Sequence, residues 1–270
     1  MALWGMQQYL LVKSSSVVDL FYRTLGEGEP LLLLHGLFGS ADNLGGIARV
    51  LATEYRVIAV DHRNHGRSPH ADSMSYSQMS ADVRAVMDKE NIGSANIFGH
   101  SMGGKVAMQM ALDNPERVSR LVVGDIAPVT YQRHHDDILA GMRRVAEEAP
   151  EGRKGAEAIL TDYENEPAVL SFLLTNWRRN ESGTWGWRLN VEAIDADYMH
   201  IVAGNRGGPY EGSVLFLRGG NSNYILPEHK AVILELFPKA TVRTIEGTGH
   251  WLHAEKPDMV ARAISKFFRS

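Results

Sequence analysis

The chain has 270 residues, of which 44% are hydrophobic, with a formal net charge of −4 and no cysteine. That length supports one large core, or one core with a small accessory domain. The charge argues against a dedicated nucleic-acid binder, which carries a basic face, and the missing cysteines exclude disulfides, thiol catalysis and thiolate metal sites.

No apolar run approaches the length needed to span a bilayer. The stretch Met1 to Gln8 lacks a basic region followed by a long apolar one, so no secretory signal is expected. A cysteine-free chain suits a reducing compartment, and the expected location is the cytoplasm.

In chain order, Tyr9 to Val12 and Val17 to Tyr22 read as an opening pair of strands. Leu31 to Leu34 is a short buried strand, followed by a loop and a helix around Asn43 to Ala52. Arg56 to Val60 is the next strand. A loop rich in His, Arg, Gly and Pro then leads to a helix around Ser77 to Glu90. Ser94 to Phe98 and Leu121 to Gly124 are further strands, separated by a helix from Met102 to Leu112. This alternation predicts the α/β class, with a mostly parallel central sheet, helices on both faces and ligands at the carboxyl ends of the strands.

The alternation stops after Pro128. From there to about Gly212 the sequence reads as helical and irregular, without a convincing buried strand. The segment holds Trp177, Trp185 and Trp187, and 9 Lys/Arg against 14 Asp/Glu. Strand-like sequence resumes at Ser213 to Arg218. A helix from Pro227 to Phe237, a strand from Ala240 to Ile245 and a helix from Pro257 to Phe268 follow. The expected division is therefore a core of residues 1–127 and 213–270, with a helical lid of residues 128–212 inserted before the last two strands. Internal repeats and low-complexity tracts are absent from the sequence.

The most informative segment is Gly99-His100-Ser101-Met102-Gly103, a G-x-S-x-G sequence between a predicted strand and a predicted helix. A serine on such a sharp turn is lifted clear of the sheet with its hydroxyl exposed. Its neighbouring glycines suit a strained turn packed closely on a helix. A serine hydroxyl needs a base beside it, usually a histidine oriented by a carboxylate, and in this setting the chain order is Ser, acid, His.

Of eleven histidines, His250 follows the last predicted strand, within Gly247-Thr248-Gly249-His250-Trp251. Its loop lies at the sheet edge where the serine emerges; His253, one turn later, is the competitor. The loop Gly219 to Tyr224, where an acid often sits, offers only amides and a serine. Asp125 instead interrupts an apolar run at a strand end, where an unpaired carboxylate is costly to bury. The expected triad is Ser101, His250 and Asp125, with Glu228 in reserve and a turn-capping role as the other reading of Asp125. Two backbone N–H groups should hold the oxyanion: Met102, at a helix N-terminus, and Leu37, with Phe38 as the second candidate. His35 and His100 are expected to orient these loops by hydrogen bonding.

These motifs resemble the α/β-hydrolase superfamily, and more closely its bacterial YbfF-type esterase branch. The resemblance rests on five stretches: Leu33 to Ser40, Val60 to Pro69, Gly99 to Lys105, Asp125 to Val129 and Gly247 to Pro257. It is weakest across the lid. It implies an esterase for short acyl esters, with acyl-CoA thioesters as a further substrate class and the acid placed before the lid. Relatives often carry an aspartate where this chain has Asn223.

The clusters His134-His135-Asp136-Asp137 and Asp61, His62, His65, His70 lack metal-site spacing, so no metal or cofactor is expected. Arg63, Asn64 and Arg67 should knit their own loop. Trp177, Trp185 and Trp187 either form the lid's own core or, with Phe38, Met102 and Trp251, line an apolar acyl pocket. The basic pairs Arg143-Arg144, Arg153-Lys154 and Arg178-Arg179 are candidates for coenzyme A phosphates, against the lid's net negative charge.

The expected function is a serine carboxylesterase for short- to medium-chain esters, working through an acyl-enzyme. A thioesterase, a perhydrolase or a carbon–carbon bond hydrolase would use the same triad. A slow-turnover ligand sensor is the alternative of another class. The expected partner is a small acyl ester, without nucleic acid or a membrane span, bound by a monomer or homodimer.

Overall fold

Four consecutive leucines, Leu31–Leu34, are all fully buried. A strand tolerates that only when both of its faces are covered, and here they are. Leu32 and Leu34 belong to one hydrophobic core, Leu31 and Leu33 to a second on the opposite face. The computed structural model describes residues 17–270.

The elements run β1 (Tyr22–Leu25), β2 (Glu29–Leu34), α1 (Gly45–Leu51), β3 (Tyr55–Val60), α2 (Tyr76–Lys89), β4 (Ala95–His100), α3 (Met102–Asp113) and β5 (Val118–Gly124). Then come α4 (Asp136–Glu148), α5 (Gly152–Leu160), α6 (Pro167–Leu174), β6 (Trp177–Arg179), β7 (Trp185–Trp187), α7 (Val191–Ala196) and α8 (Tyr198–Val202). The chain closes with β8 (Val214–Gly219), α9 (Lys230–Leu236), β9 (Ala240–Ile245), α10 (Leu252–Glu255) and α11 (Pro257–Phe268).

Seven strands form one sheet in the order β1-β3-β2-β4-β5-β8-β9. β1 pairs antiparallel with β3, and every other pairing is parallel. α1, α10 and α11 supply Ile47, Leu252 and Ile264 to the core on one face. α2, α3 and α9, with the helices between β5 and β8, cover the other. From β2 the chain crosses to β3 on one side, whereas β4 leads to β5 on the other. The loops leaving β2 and β4 therefore diverge at their carboxyl ends, which opens a crevice at this switch of strand order.

Several expectations shift in detail. Tyr9 to Val12 lies outside the described residues. The other opening strand begins at Tyr22 instead of ending there. Val18 and Leu20 are buried but in no strand, because the Val18 N–H is taken by the Asp82 carboxylate and the Phe21 N–H by Ser68. The helix expected at Asn43 starts as a 3-10 turn, Ala41–Leu44. The stretch after Pro128 does contain strands, the antiparallel hairpin β6–β7. At three residues each, these strands are too short to carry an alternating pattern in sequence.

Candidate active site

Ser101 sits between β4 and α3 with φ of 53°, a left-handed conformation in which a non-glycine residue is strained. The turn is possible because the residues two positions to either side, Gly99 and Gly103, lack side chains. A Cβ on Gly99 would lie 2.2 Å from the Gly103 carbonyl oxygen, and one on Gly103 would lie 2.3 Å from that of Leu34. The Ser101 N–H donates to Gly124 O at 2.9 Å, which ties the turn to β5.

His250 bridges Ser101 and Asp125. Its Nε2 lies 3.0 Å from Ser101 Oγ, and its Nδ1 lies 2.8 Å from Asp125 Oδ2. Asp125 is fully buried and, like Ser101, has a positive φ, here 50°. Its Oδ1 accepts the Gly219 N–H at 2.8 Å, its Oδ2 accepts the Ser222 hydroxyl, and its own N–H donates to Leu217 O. Each carboxylate oxygen thus has a donor besides His250, which answers the burial of the charge. His100 donates from Nε2 to the His250 carbonyl oxygen at 2.8 Å, and Tyr224 stacks on the His250 ring. His253 packs its ring on His100, 4.2 Å away, and bonds to neither Ser101 nor Asp125. Asn223 and Glu228 are exposed. Sequence reasoning missed Ser222, because it sits among turn-forming glycines and asparagines, and missed Tyr224 beside it.

The turn after β2 faces the same serine. His35 donates from Nδ1 to Gly36 O at 2.8 Å and accepts the His62 N–H at Nε2. Phe38 has φ of 61°; its N–H donates to His65 Nε2 at 3.2 Å, so this amide is engaged. Among the described residues, the Leu37 and Met102 N–H groups donate to no protein acceptor. Both residues line a cavity that also reaches Ser101. Burial pushes His35 down to about 4 and His65 to about 3, so both rings are neutral near pH 7.

Two cavities meet at Ser101. One is a cleft of about 640 Å³ lined by Leu37, Phe38, Phe172, Val169, His250 and Trp251, among others. Its charged lining consists of Glu164, Glu166 and Glu255, without lysine or arginine among the described residues. The other is a slot of about 40 Å³, walled by Leu37, Met102, Ile126 and Val202.

Phe38 and Trp251 line the cleft, whereas Trp177, Trp185 and Trp187 line neither cavity. The placement of those three in an acyl pocket is corrected. Pairing of β6 with β7 puts Trp177 opposite Trp187, with ring centroids 5.0 Å apart. Their indoles donate to Pro150 O, between α4 and α5, and to Met142 O, within α4 of the same segment. They form that segment's own core, and α6 supplies the apolar cleft wall through Val169 and Phe172.

The loop after β3 is knitted as its composition suggested. Arg63 holds the buried Asp82 with two hydrogen bonds, at 2.6 and 2.8 Å, and the Asn64 side chain caps the Ala71 N–H. Of the basic pairs, Arg143 and Arg144 are engaged by Glu192, Asp195, Glu147 and Glu148. Lys105 escaped sequence reasoning altogether. It is buried, and its ammonium donates to Val129 O and Ala203 O, both at 2.5 Å, at either end of the segment between β5 and β8. Burial pushes its pKa down to about 7.

The comparisons agree with this architecture. A family model described as the alpha/beta hydrolase fold matches residues 29–257. Esterase YbfF of Escherichia coli is 42% identical over 240 residues, covering 88% of this chain and 92% of that protein. The sn-1-specific diacylglycerol lipase ABHD11 of Xenopus laevis is 42% identical over 269 residues, covering 95% and 86% of the two chains. The solved structure of a marine microorganism esterase superposes with a TM-score of 0.89 at 41% identity, over 93% of this chain and 99% of that one. The chain belongs to the alpha/beta hydrolase family.

Proposed function

We propose that this protein is a serine carboxylesterase acting on short- to medium-chain acyl esters, with Ser101, His250 and Asp125 as its triad. It is a carboxylic ester hydrolase of the esterase/lipase type, as its relatives' names indicate. The observation that carries the reading is the unbroken series of contacts from Ser101 Oγ to His250 Nε2 at 3.0 Å and from His250 Nδ1 to Asp125 at 2.8 Å.

In this mechanism the Ser101 oxygen attacks the ester carbonyl as His250 Nε2 takes its proton. The Leu37 and Met102 N–H groups receive the charge that develops on the carbonyl oxygen, helped by the N-terminus of α3. Asp125 keeps the imidazole tautomer with Nδ1 protonated and balances its charge. His250 returns the proton to the leaving alcohol. Water then hydrolyses the acyl-serine by the same route in reverse order.

The unequal cavities support a division of the substrate. The slot of about 40 Å³ suits a small acyl group, and the cleft of about 640 Å³ suits the alcohol. With its apolar wall and its three carboxylates, the cleft favours a neutral leaving group over the polyanionic coenzyme A. A neutral glyceride, the kind of substrate named for the diacylglycerol lipase relatives, is of that class. Residues 128–212 act as a lid over a core of residues 1–127 and 213–270. Supporting this, α6 walls the cleft and Lys105 fastens both ends of the segment.

Steady-state hydrolysis of p-nitrophenyl esters from acetate to palmitate, with Ser101→Ala as control, tests the proposal. The expected result is turnover that peaks at short acyl chains and disappears in the variant. Turnover that survives Ser101→Ala, or none at any chain length, overturns it.

A further inference from the structure

We propose that Asn176 and His65 are positioning residues for the oxyanion turn, clamping Phe38 from both sides so that the Leu37 N–H stays presented to the Ser101 cavity. The inference rests on the esterase reading above. Phe38 is the point of strain in this turn: a bulky residue held at φ of 61°, where only glycine is at ease. Left free, it would relax to negative φ and redirect the peptide units on either side.

Two hydrogen bonds of opposite polarity oppose that relaxation. His65, from the loop after β3, accepts the Phe38 N–H at 3.2 Å. Asn176, between α6 and β6, donates from Nδ2 to the Phe38 carbonyl oxygen at 2.8 Å. Both clamping side chains are themselves fixed and buried. His65 donates from Nδ1 to Arg63 O at 2.9 Å, which leaves the Nε2 lone pair for Phe38. Its lowered pKa, about 3, keeps it an acceptor at neutral pH. The Asn176 side chain also donates to Leu173 O, and the main-chain carbonyl oxygen of Asn176 accepts the Arg188 N–H.

The two clamps come from different parts of the chain. His65 belongs to the sheet scaffold, whereas Asn176 lies 138 residues from Phe38, in the segment between β5 and β8. The shape of the oxyanion turn therefore depends on how that segment is seated. A shift of the segment breaks the Asn176 bond and frees Phe38. The His65 bond also takes the Phe38 amide out of competition, since it already engages that N–H. That leaves Leu37 as the donor from this turn.

The test uses Asn176→Asp, which keeps size but loses the donor, with Asn176→Ala and His65→Phe, all in the full chain. Each is assayed for kcat and KM on the best p-nitrophenyl ester. An aryl trifluoromethyl ketone, which adds to a nucleophilic serine and places an oxyanion in the hole, is titrated by fluorine NMR. Thermal melts identify which variants fold, and any one folded variant decides. A positioning role predicts kcat down about tenfold or more, KM within about twofold, and ketone affinity weakened in step with kcat/KM. Unchanged kcat and ketone affinity, or a change confined to KM, overturns it. Full activity in the clamp variants, alongside wild-type turnover that Ser101→Ala abolishes, sinks the clamp alone. A wild type that turns over no ester sinks the esterase reading, and the ketone titration still reads the clamp.

Discussion

Tyr224 lies flat against the imidazole of His250, with ring centroids 4.0 Å apart and planes inclined by 22°. An aromatic face is electron-rich, so in the proposed mechanism this stack would favour the imidazolium formed when His250 takes the serine proton. It also limits rotation of the ring about its Cβ–Cγ bond.

The stack predicts that Tyr224→Phe keeps most of its kcat while Tyr224→Ala loses it by about tenfold, a cation–π effect of roughly 1–2 kcal/mol. Steady-state kinetics of the two variants decide the point. Equal losses in both would assign the effect to the phenol hydroxyl, which donates to His134 Nε2, and not to the ring.

Ser222 predicts a second loss. Its hydroxyl donates to the Asp125 oxygen that also meets His250. Ser222→Ala removes one charge-assisted hydrogen bond from a buried carboxylate, worth about 1.5–3 kcal/mol. Both the melting temperature and kcat should fall, and a variant with wild-type values of both would contradict this account of the site.

The tryptophans and α6 divide stability from selectivity. Trp177→Ala should unfold the segment between β5 and β8 more easily, by about 3–5 kcal/mol. The acyl-chain optimum should stay where it was, since the residue is 1% exposed and lines neither cavity. Phe172→Ala should instead widen the cleft and change the preference among alcohols, with a smaller change in melting temperature. Chain-length and alcohol profiles of both variants make the comparison.

What was legible in the sequence follows from how each residue is held. Ser101 and its glycines announce themselves because a turn this tight excludes side chains. Asp125 stands out as a charge at the end of an apolar strand, and His250 follows the last strand. The fold brings these three side chains into hydrogen-bond contact. Parallel strands buried on both faces are easily read from runs such as Leu31–Leu34. The segment after Pro128 was far less readable. Its hairpin is too brief for periodicity, and a tryptophan packs as well in a small core as in a pocket. Ser222, Tyr224, His65 and Asn176 act through contacts made across long stretches of chain, which no local pattern records.

Buried neutral histidines set the acid limit of stability. His35 and His253 are pushed down to about 4 and His65 to about 3, chiefly by burial, against 6.5 when exposed. Between those values the unfolded chain binds more protons than the folded one, so unfolding free energy falls as pH drops. Denaturant titrations should give a steady decline in stability from pH 6.5 to 5. A flat profile across that interval would contradict the buried, neutral assignment.

Lys105 produces the opposite edge of the same argument. Burial lowers its pKa from 10.5 to about 7, so from pH 7 upward the unfolded chain holds the extra proton. Stability should therefore rise between pH 7.5 and 9, and Lys105→Met should remove that rise. Parallel profiles for the two proteins would show that the ammonium is not desolvated as described.

The most direct test of the central claim is to trap the acyl-enzyme. Intact-protein mass spectrometry within milliseconds of mixing with p-nitrophenyl butyrate, followed by peptide mapping, reads the covalent state. The account predicts a butyryl increment on the peptide carrying Ser101, absent in Ser101→Ala and formed far more slowly in His250→Ala. An increment on another residue, or wild-type turnover in Ser101→Ala, would contradict it.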